Sequence, residues 1–127
     1  MINPDGAKPI YRQIAEWLEN EILNETFRPD DKVYSQYKLA DLFNINPATA
    51  AKGLTMLAEE GVLYNQRGLG KFVVRDAKAV ITDKRKNQTL KQQIQEVAAE
   101  AERLDVGEQE LIELLRTAIN ERKGDVT

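Results

Sequence analysis

Apolar residues recur every three or four positions over Ile10, Ile14, Trp17, Leu18 and Ile22, with Tyr11 beside them. That spacing predicts an amphipathic helix from Pro9 to about Glu25. Pro9 suits the first helical position, where a missing N–H costs nothing. The run Phe27-Arg28-Pro29-Asp30-Asp31 then breaks the pattern as a turn. Trp17 reads either as a ligand-stacking residue or as a core anchor, and its place on an apolar helical face favours the anchor. A second, shorter run (Leu39, Ala40, Leu42, Phe43) opens at Ser35, whose hydroxyl can cap a free backbone N–H, and stops near Phe43 or Asn44. Asn46 is the expected cap of a third helix with Pro47 at its first position. Leu54, Met56 and Leu57 form its apolar face, and Gly61 provides its stop. Two strand-like segments follow, Val62 to Gln66 and Lys71 to Val74, joined by Arg67-Gly68-Leu69-Gly70.

After Val74 the pattern changes. Residues 75–86 are polar and read as a connector turning into a helix. Leu90, Ile94, Val97, Ala101 and Leu104 then return to helical spacing. Asp105-Val106-Gly107 marks a turn, and a last helix from Glu108 to about Lys123 carries Leu111, Ile112, Leu114, Leu115, Ala118 and Ile119. Gly124 ends it, and a frayed tail is expected beyond. The fold class is therefore mainly α with a small β-hairpin. Residues 1–75 form a winged helix-turn-helix domain and residues 76–127 a two-helix segment. The expected N-terminal core is Ile14, Trp17, Leu18, Leu39, Leu42, Leu54 and Leu57.

Two short helices, a tight turn and a glycine-tipped hairpin with basic residues at its tip suit the grip of double-stranded DNA. The first turns of the third helix, with Ala48, Thr49, Ala51 and Lys52, occupy the place that enters the major groove in helix-turn-helix proteins. Gly68 and Gly70 permit a close approach of backbone to a partner. A plain β-turn would use two glycines equally well, but the flanking Arg67 and Lys71 favour phosphate or minor-groove contact. The net charge of −3 argues against nucleic acid only as a sum. Residues 32–75 carry six bases (Lys32, Lys38, Lys52, Arg67, Lys71, Arg75) against three acids, the one basic section of the chain. The tail helices carry more large apolar side chains than a two-helix hairpin can bury. Either they fold back on the N-terminal domain or they meet a second copy of the chain, and small closed homo-oligomers are the economical choice. Leu90, Ile94, Val97 and Leu104, with Leu111, Leu114, Leu115 and Ile119, are the expected dimer contacts. A fragment ending near Arg75 is expected to stay folded and become monomeric.

Composition removes other classes. Hydrophobic content of 42% with 31% charged residues fits a folded, soluble, helix-rich chain. There is no cysteine, which excludes disulfides and thiolate metal sites and fits a reducing cytoplasm. There is no histidine, the commonest general base and metal ligand. No metal site and no cofactor is expected. The N-terminus shows no signal-peptide pattern, and no apolar run approaches a membrane span. Walker-type and dinucleotide loops are absent, and the acid pairs Asp30-Asp31 and Glu59-Glu60 read as solvated turn and helix-end charges, so an enzyme is not expected. The other class left open is a winged helix used only for protein–protein contact.

The run Pro9-Ile10-Tyr11-Arg12-Gln13-Ile14, Asp31-Lys32-Val33, Ser35, Leu39-Ala40, Asn46-Pro47 with Thr49, Glu60-Gly61, and Arg67-Gly68-Leu69-Gly70 with Phe72-Val73 resembles the GntR family of bacterial transcriptional regulators. The opening Pro9 to Ile14 and the Asn46-Pro47 turn are similar to its YtrA-type branch, which joins a winged helix-turn-helix to a tail of about two dimerisation helices. The N-terminal motifs are specific; the tail matches only in length and helical periodicity. The resemblance implies cytoplasmic, sequence-specific DNA binding as a homodimer on an inverted-repeat operator, usually to repress, with membrane-transporter genes frequent among the targets of this branch. It also leaves a small-molecule effector open. In this family the second helix usually opens Ser-Glu-Arg-Glu, and that arginine commonly contacts DNA. Here those positions read Ser35-Gln36-Tyr37-Lys38, so Tyr37 can reach a phosphate through its hydroxyl and Lys38 can substitute one position later. Lys52 replaces the usual arginine of the third helix, keeping the charge and losing the bidentate fork. Ala48, Ala50 and Ala51 offer only methyl contacts. Operator preference should therefore lean on Thr49, Lys52, the wing and DNA shape.

Overall fold

The computed structural model describes residues 2–124, and these fall into two compact units divided between Lys84 and Arg85. The expected frayed tail beyond Gly124 lies outside the described residues. The first unit is built from α1 (Ile10–Leu23), α2 (Gln36–Phe43), α3 (Pro47–Glu59), β1 (Leu63–Gln66), β2 (Gly70–Val73) and α4 (Ala77–Lys84). The second begins with a π-helical turn (Arg85–Thr89) and continues through α5 (Leu90–Arg103) and α6 (Glu108–Gly124).

Helix α1 starts one residue later than the position of Pro9 suggested. Pro9 is its N-cap, and the Pro9 carbonyl accepts from the N–H groups of Arg12 and Gln13. It ends before Glu25, which takes a left-handed φ of 64°. Ile14, Ala15, Leu18 and Ile22 form its buried face. Trp17 is half-buried against this core, edge-on to Phe43 at 4.9 Å, and so serves as the anchor. Helix α2 is capped by the Ser35 hydroxyl, which accepts from Lys38 N–H at 3.1 Å, and is stopped by Asn44 at φ 54°. Its core residues are Leu39 and Ala40, with Phe43 packed against the cluster. Leu42, expected in the core, is 51% exposed. At about 100° per residue Leu39, Ala40 and Phe43 share one arc of the helix, and Leu42 falls roughly 110° from its centre. Helix α3 begins as anticipated, with Asn46 accepting from Ala48 N–H at 2.8 Å and Pro47 in the first turn.

α3 buries Ala50, Gly53, Leu54 and Leu57. Ala50 therefore belongs to the core and is not available for methyl contact with a ligand. Gly53 is the point of closest approach to α1. A Cβ there would lie 2.8 Å from the Tyr11 carbonyl oxygen and 3.3 Å from Ile14 Cγ2, so no other residue fits without moving the helices apart. Gly61 at φ 79° turns the chain out of α3 into the hairpin. There Leu63 pairs with Val73, Tyr64 with Phe72, Asn65 with Lys71 and Gln66 with Gly70. A pairing that the hydrophobic pattern did not announce extends this sheet. Asp30 N–H bonds to Val73 O at 2.8 Å, Val73 N–H to Asp31 O at 2.9 Å and Val33 N–H to Lys71 O at 3.0 Å, with Lys32 bridged to Phe72. Residues 30–33 thus form an edge beside β2, which also fixes how α2 leaves the sheet.

The expected boundary at Arg75 falls short of the compact unit. Ala77 and Ile81 of α4 are fully buried in the N-terminal core, and a connector read as polar supplies two of its apolar residues. Only two of the eight residues of α4 are fully buried, with Val80 packed beside them, too few to register as a periodic stripe. The same helix ends in an ion cluster. Lys84 donates to the carboxylate of Glu19, which is 1% exposed on α1, and to Glu60 at 2.9 Å beyond α3. Burial pulls the Lys84 ammonium downward, but its hydrogen bonds to Glu19 and Glu60 outweigh this and hold its pKa above the ordinary lysine value.

Two outcomes follow from α4. A fragment ending at Arg75 loses Ile81, so it should be destabilised by about 2–5 kcal/mol relative to one ending at Lys84. Thermal melts followed by circular dichroism should show a cooperative transition at distinctly higher temperature for the longer fragment; equal midpoints would remove α4 from the core. The second outcome concerns pH. A lysine whose folded pKa is raised stabilises fully below its unfolded value and loses that contribution as pH rises through the folded one. The intact chain should therefore lose stability to urea on the alkaline side of the ordinary lysine range, and Lys84→Met should abolish that part of the loss.

Candidate nucleic-acid interface

Helical geometry places Ala48, Lys52, Thr55 and Glu59 on one exposed stripe of α3, opposite the buried Ala50, Gly53, Leu54 and Leu57. Thr49 lies at its edge, half-buried. The stripe is small and polar at its start and ends in an acid, so an anionic partner is accepted only at the first half of the helix. The positive dipole end of α3 lies at that same half, with the N–H of Ala48 bonded to the Asn46 side chain and those of Thr49 and Ala50 to the Asn46 carbonyl. Thr55, which sequence reasoning did not single out, continues the stripe one turn beyond Lys52; its exposure appears only once the buried face of α3 is known. Lys52 does not extend freely into solvent. Its ammonium sits 4.1 Å from the centroid of the Tyr11 ring of α1.

The residues before α3 combine capping with recognition chemistry. Ser35 and Asn46 use their oxygens as caps, and this leaves the Ser35 hydroxyl proton and the Asn46 side-chain N–H groups as donors. Tyr37 on α2 is 69% exposed, and Lys38 is also exposed, with its ammonium 5.9 Å from the Tyr34 ring. At the hairpin tip Arg67, Gly68 and Leu69 are exposed, while Gly70 is half-buried. Gly68 at φ 79° and Gly70 at φ 118° hold a tight turn in which Leu69 N–H bonds to Gln66 O at 2.9 Å. Alternation puts Lys71 on the sheet face shared with Leu63 and Val73, the face packed on the helices, while Tyr64 and Phe72 stack on the other.

Two basic residues change standing. Arg75, grouped with the wing by sequence proximity, stands at the far end of β2 from the tip, its Nε 4.0 Å from Asp30 Oδ2. Tyr64 also donates to Asp30, at 2.9 Å, and this bond raises the phenol pKa. Lys32, which the sequence marks only as one of the six bases of its section, runs beside the wing. A Cβ built on Gly70 would stand 3.0 Å from Lys32 Cε, so the bare glycine makes room for the lysine stem. Among the described residues no helix is long and apolar enough to cross a membrane, and no cluster of acids could hold a metal ion.

An N-capped helix behind a tight turn, a two-stranded wing, a lysine in the first half of the helix and an arginine at the wing tip together define a winged helix-turn-helix. Residues 10–73 match the family described as bacterial regulatory proteins, gntR family. The HTH-type transcriptional repressor YtrA of Bacillus subtilis (strain 168) is 28% identical over 123 residues, which are 97% of this chain and 94% of that protein. A solved GntR family transcriptional regulator from Listeria monocytogenes is 30% identical, with a TM-score of 0.74 over 89% of this chain and 97% of that one. AraR(DBD), solved in complex with operator ORX1, is 28% identical with a TM-score of 0.53, covering 58% of this chain and 92% of that one. The chain belongs to the GntR family: it is a DNA-binding transcriptional regulator and not an enzyme.

Lys52→Ala and Arg67→Ala should each weaken DNA binding by about 1–3 kcal/mol. Each should also flatten the dependence of affinity on salt by about one unit in a gel-shift or anisotropy titration. Parental affinity and slope in both variants would move the DNA face elsewhere.

Proposed function

We propose that the protein acts in the cytoplasm as a homodimeric repressor that binds an inverted-repeat operator. In this reading the start of α3 enters the major groove with Ala48, Thr49 and Lys52. Ser35, Tyr37, Lys38 and Asn46 meet the flanking phosphates, and Arg67, Gly68, Gly70 and Lys71 bring the wing onto the adjacent backbone or minor groove. Repressor function is supported by the name of YtrA, a relative over nearly the whole chain.

The observation that carries the dimer is the surface of the second unit. Among its described residues Ala101 alone is buried. Leu90, Ile94, Val97 and Leu104 of α5 and its end stay roughly half exposed or more, as do Leu114, Leu115 and Ile119 of α6, while Leu111 is half-buried. The α5 residues, with Ala101, are spaced four, three, four and three apart, the seam spacing of helices that pack on partner helices. An apolar surface of this kind in water is unfavourable at about 25 cal/mol per Å² and drives association. A second copy brings a matching seam and the two-fold symmetry that an inverted repeat requires.

Light scattering should find the full chain dimeric, and both Leu115→Asp and a fragment ending at Lys84 monomeric, because an unpaired charge or a missing seam removes the contact. Both should bind DNA far more weakly, since the gain from joining two modules is lost. Footprinting by the full chain should protect two inverted half-sites, with centres about 10 bp apart or a multiple of that. A dimeric fragment, or full affinity for a single half-site, would overturn the assignment.

A further inference from the structure

We propose that Tyr11 is a positioning residue for DNA recognition: its ring holds the Lys52 ammonium in place on the exposed stripe of α3. The inference rests on the reading that Lys52 meets DNA, and adds a residue from a helix that carries none of the proposed contacts. Lysine is a point charge on a stem with many rotamers, and ordering that stem on a ligand costs affinity. Here the stem is ordered beforehand. The Lys52 ammonium lies 4.1 Å from the Tyr11 centroid, within the range at which the negative face of an aromatic ring attracts a cation. Lys52 remains exposed and Tyr11 half-buried, so the ammonium keeps protons to donate to a phosphate or base edge.

Gly53 makes the contact reachable. Because it has no Cβ, α3 comes close enough to α1 that a side-chain carbon at residue 53 would stand 2.8 Å from the Tyr11 carbonyl oxygen. The adjacent Lys52 then reaches the ring of the same tyrosine. One close crossing thus sets both the packing of α3 and the aim of its cation.

The test is a double-mutant cycle on the full chain, read by anisotropy with a DNA duplex selected by the wild-type protein from a random-sequence pool. Tyr11→Leu should weaken binding about two- to fivefold, the worth of an exposed cation–π contact. Its salt slope should stay parental, because the charge itself remains. Tyr11→Phe, which keeps the ring face, should bind like wild type. In the Lys52→Ala background Tyr11→Leu should have no further effect. If Tyr11→Leu costs the same in both backgrounds, or costs nothing in either, or if Tyr11→Phe is as weak as Tyr11→Leu, the proposal is overturned while the DNA role of Lys52 stands. If Lys52→Ala alone leaves affinity and slope unchanged, the underlying reading falls, and the proposal with it. Should Tyr11→Leu fail to fold, Tyr11→Phe is compared with pentafluorophenylalanine at position 11, a ring of similar size whose face repels cations. Weaker binding by the fluorinated ring supports the proposal and equal binding overturns it.

Discussion

Where α1 crosses α3 there is no room for a side chain. The close approach at Gly53 brings Ile14 against α3 and lets Ala50, Leu54 and Leu57 sink into the core from one face. The α3 residues proposed for recognition lie on the face that remains. A larger residue at 53 would push α3 outward, loosen that core and shift the whole exposed stripe relative to the hairpin, because interiors are packed too densely to absorb an added methyl without moving something.

A second constraint ties the ends of the first unit together. Glu19 is a buried carboxylate on α1, and burying an unpaired charge is costly. Lys84 answers it from the last residue of α4 and reaches Glu60 just beyond α3. Three helices that meet nowhere in sequence are held by one ammonium. The cluster closes the domain at the residue after which the chain becomes π-helical, so the helix leading to the second unit is anchored to the DNA-binding core by Ala77 and Ile81 from within and by Lys84 at its end.

The two units solve the burial problem differently. The first buries its apolar residues within one chain, around Ile14, Leu18, Leu39, Leu57 and Ile81. The second leaves its large apolar residues at the surface and has too few residues facing inward to hold a core of its own. The DNA-binding domain thus has a complete core of its own, and the tail an incomplete one.

Features that depend on neighbouring residues are legible in the chain itself. Ser35 and Asn46 as caps, Pro47 in the first turn of α3, Gly61 as its stop and the glycine-tipped hairpin are all local chemistry, decided within a few residues by hydrogen-bond reach and allowed φ. The helical spacing of the tail and its surplus of leucines are likewise written along the chain. Long-range partnership is not. Two fully buried residues out of eight could not announce α4 as core. The edge pairing of residues 30–33 with β2 joins segments about forty residues apart and leaves no periodic trace. The exposure of Leu42, the burial of Ala50 and the pairing of Arg75 with Asp30 depend on which side of each element another one covers. The order and type of the helices and strands from α1 to β2, and of the two tail helices, thus follow from the amino-acid sequence alone, because local propensity and capping set them, whereas α4 and the π-helical turn after it are not legible there. Which faces are buried, and which cation lies over which ring, is settled only by packing in three dimensions, because those energies arise between residues that the chain brings together from far apart.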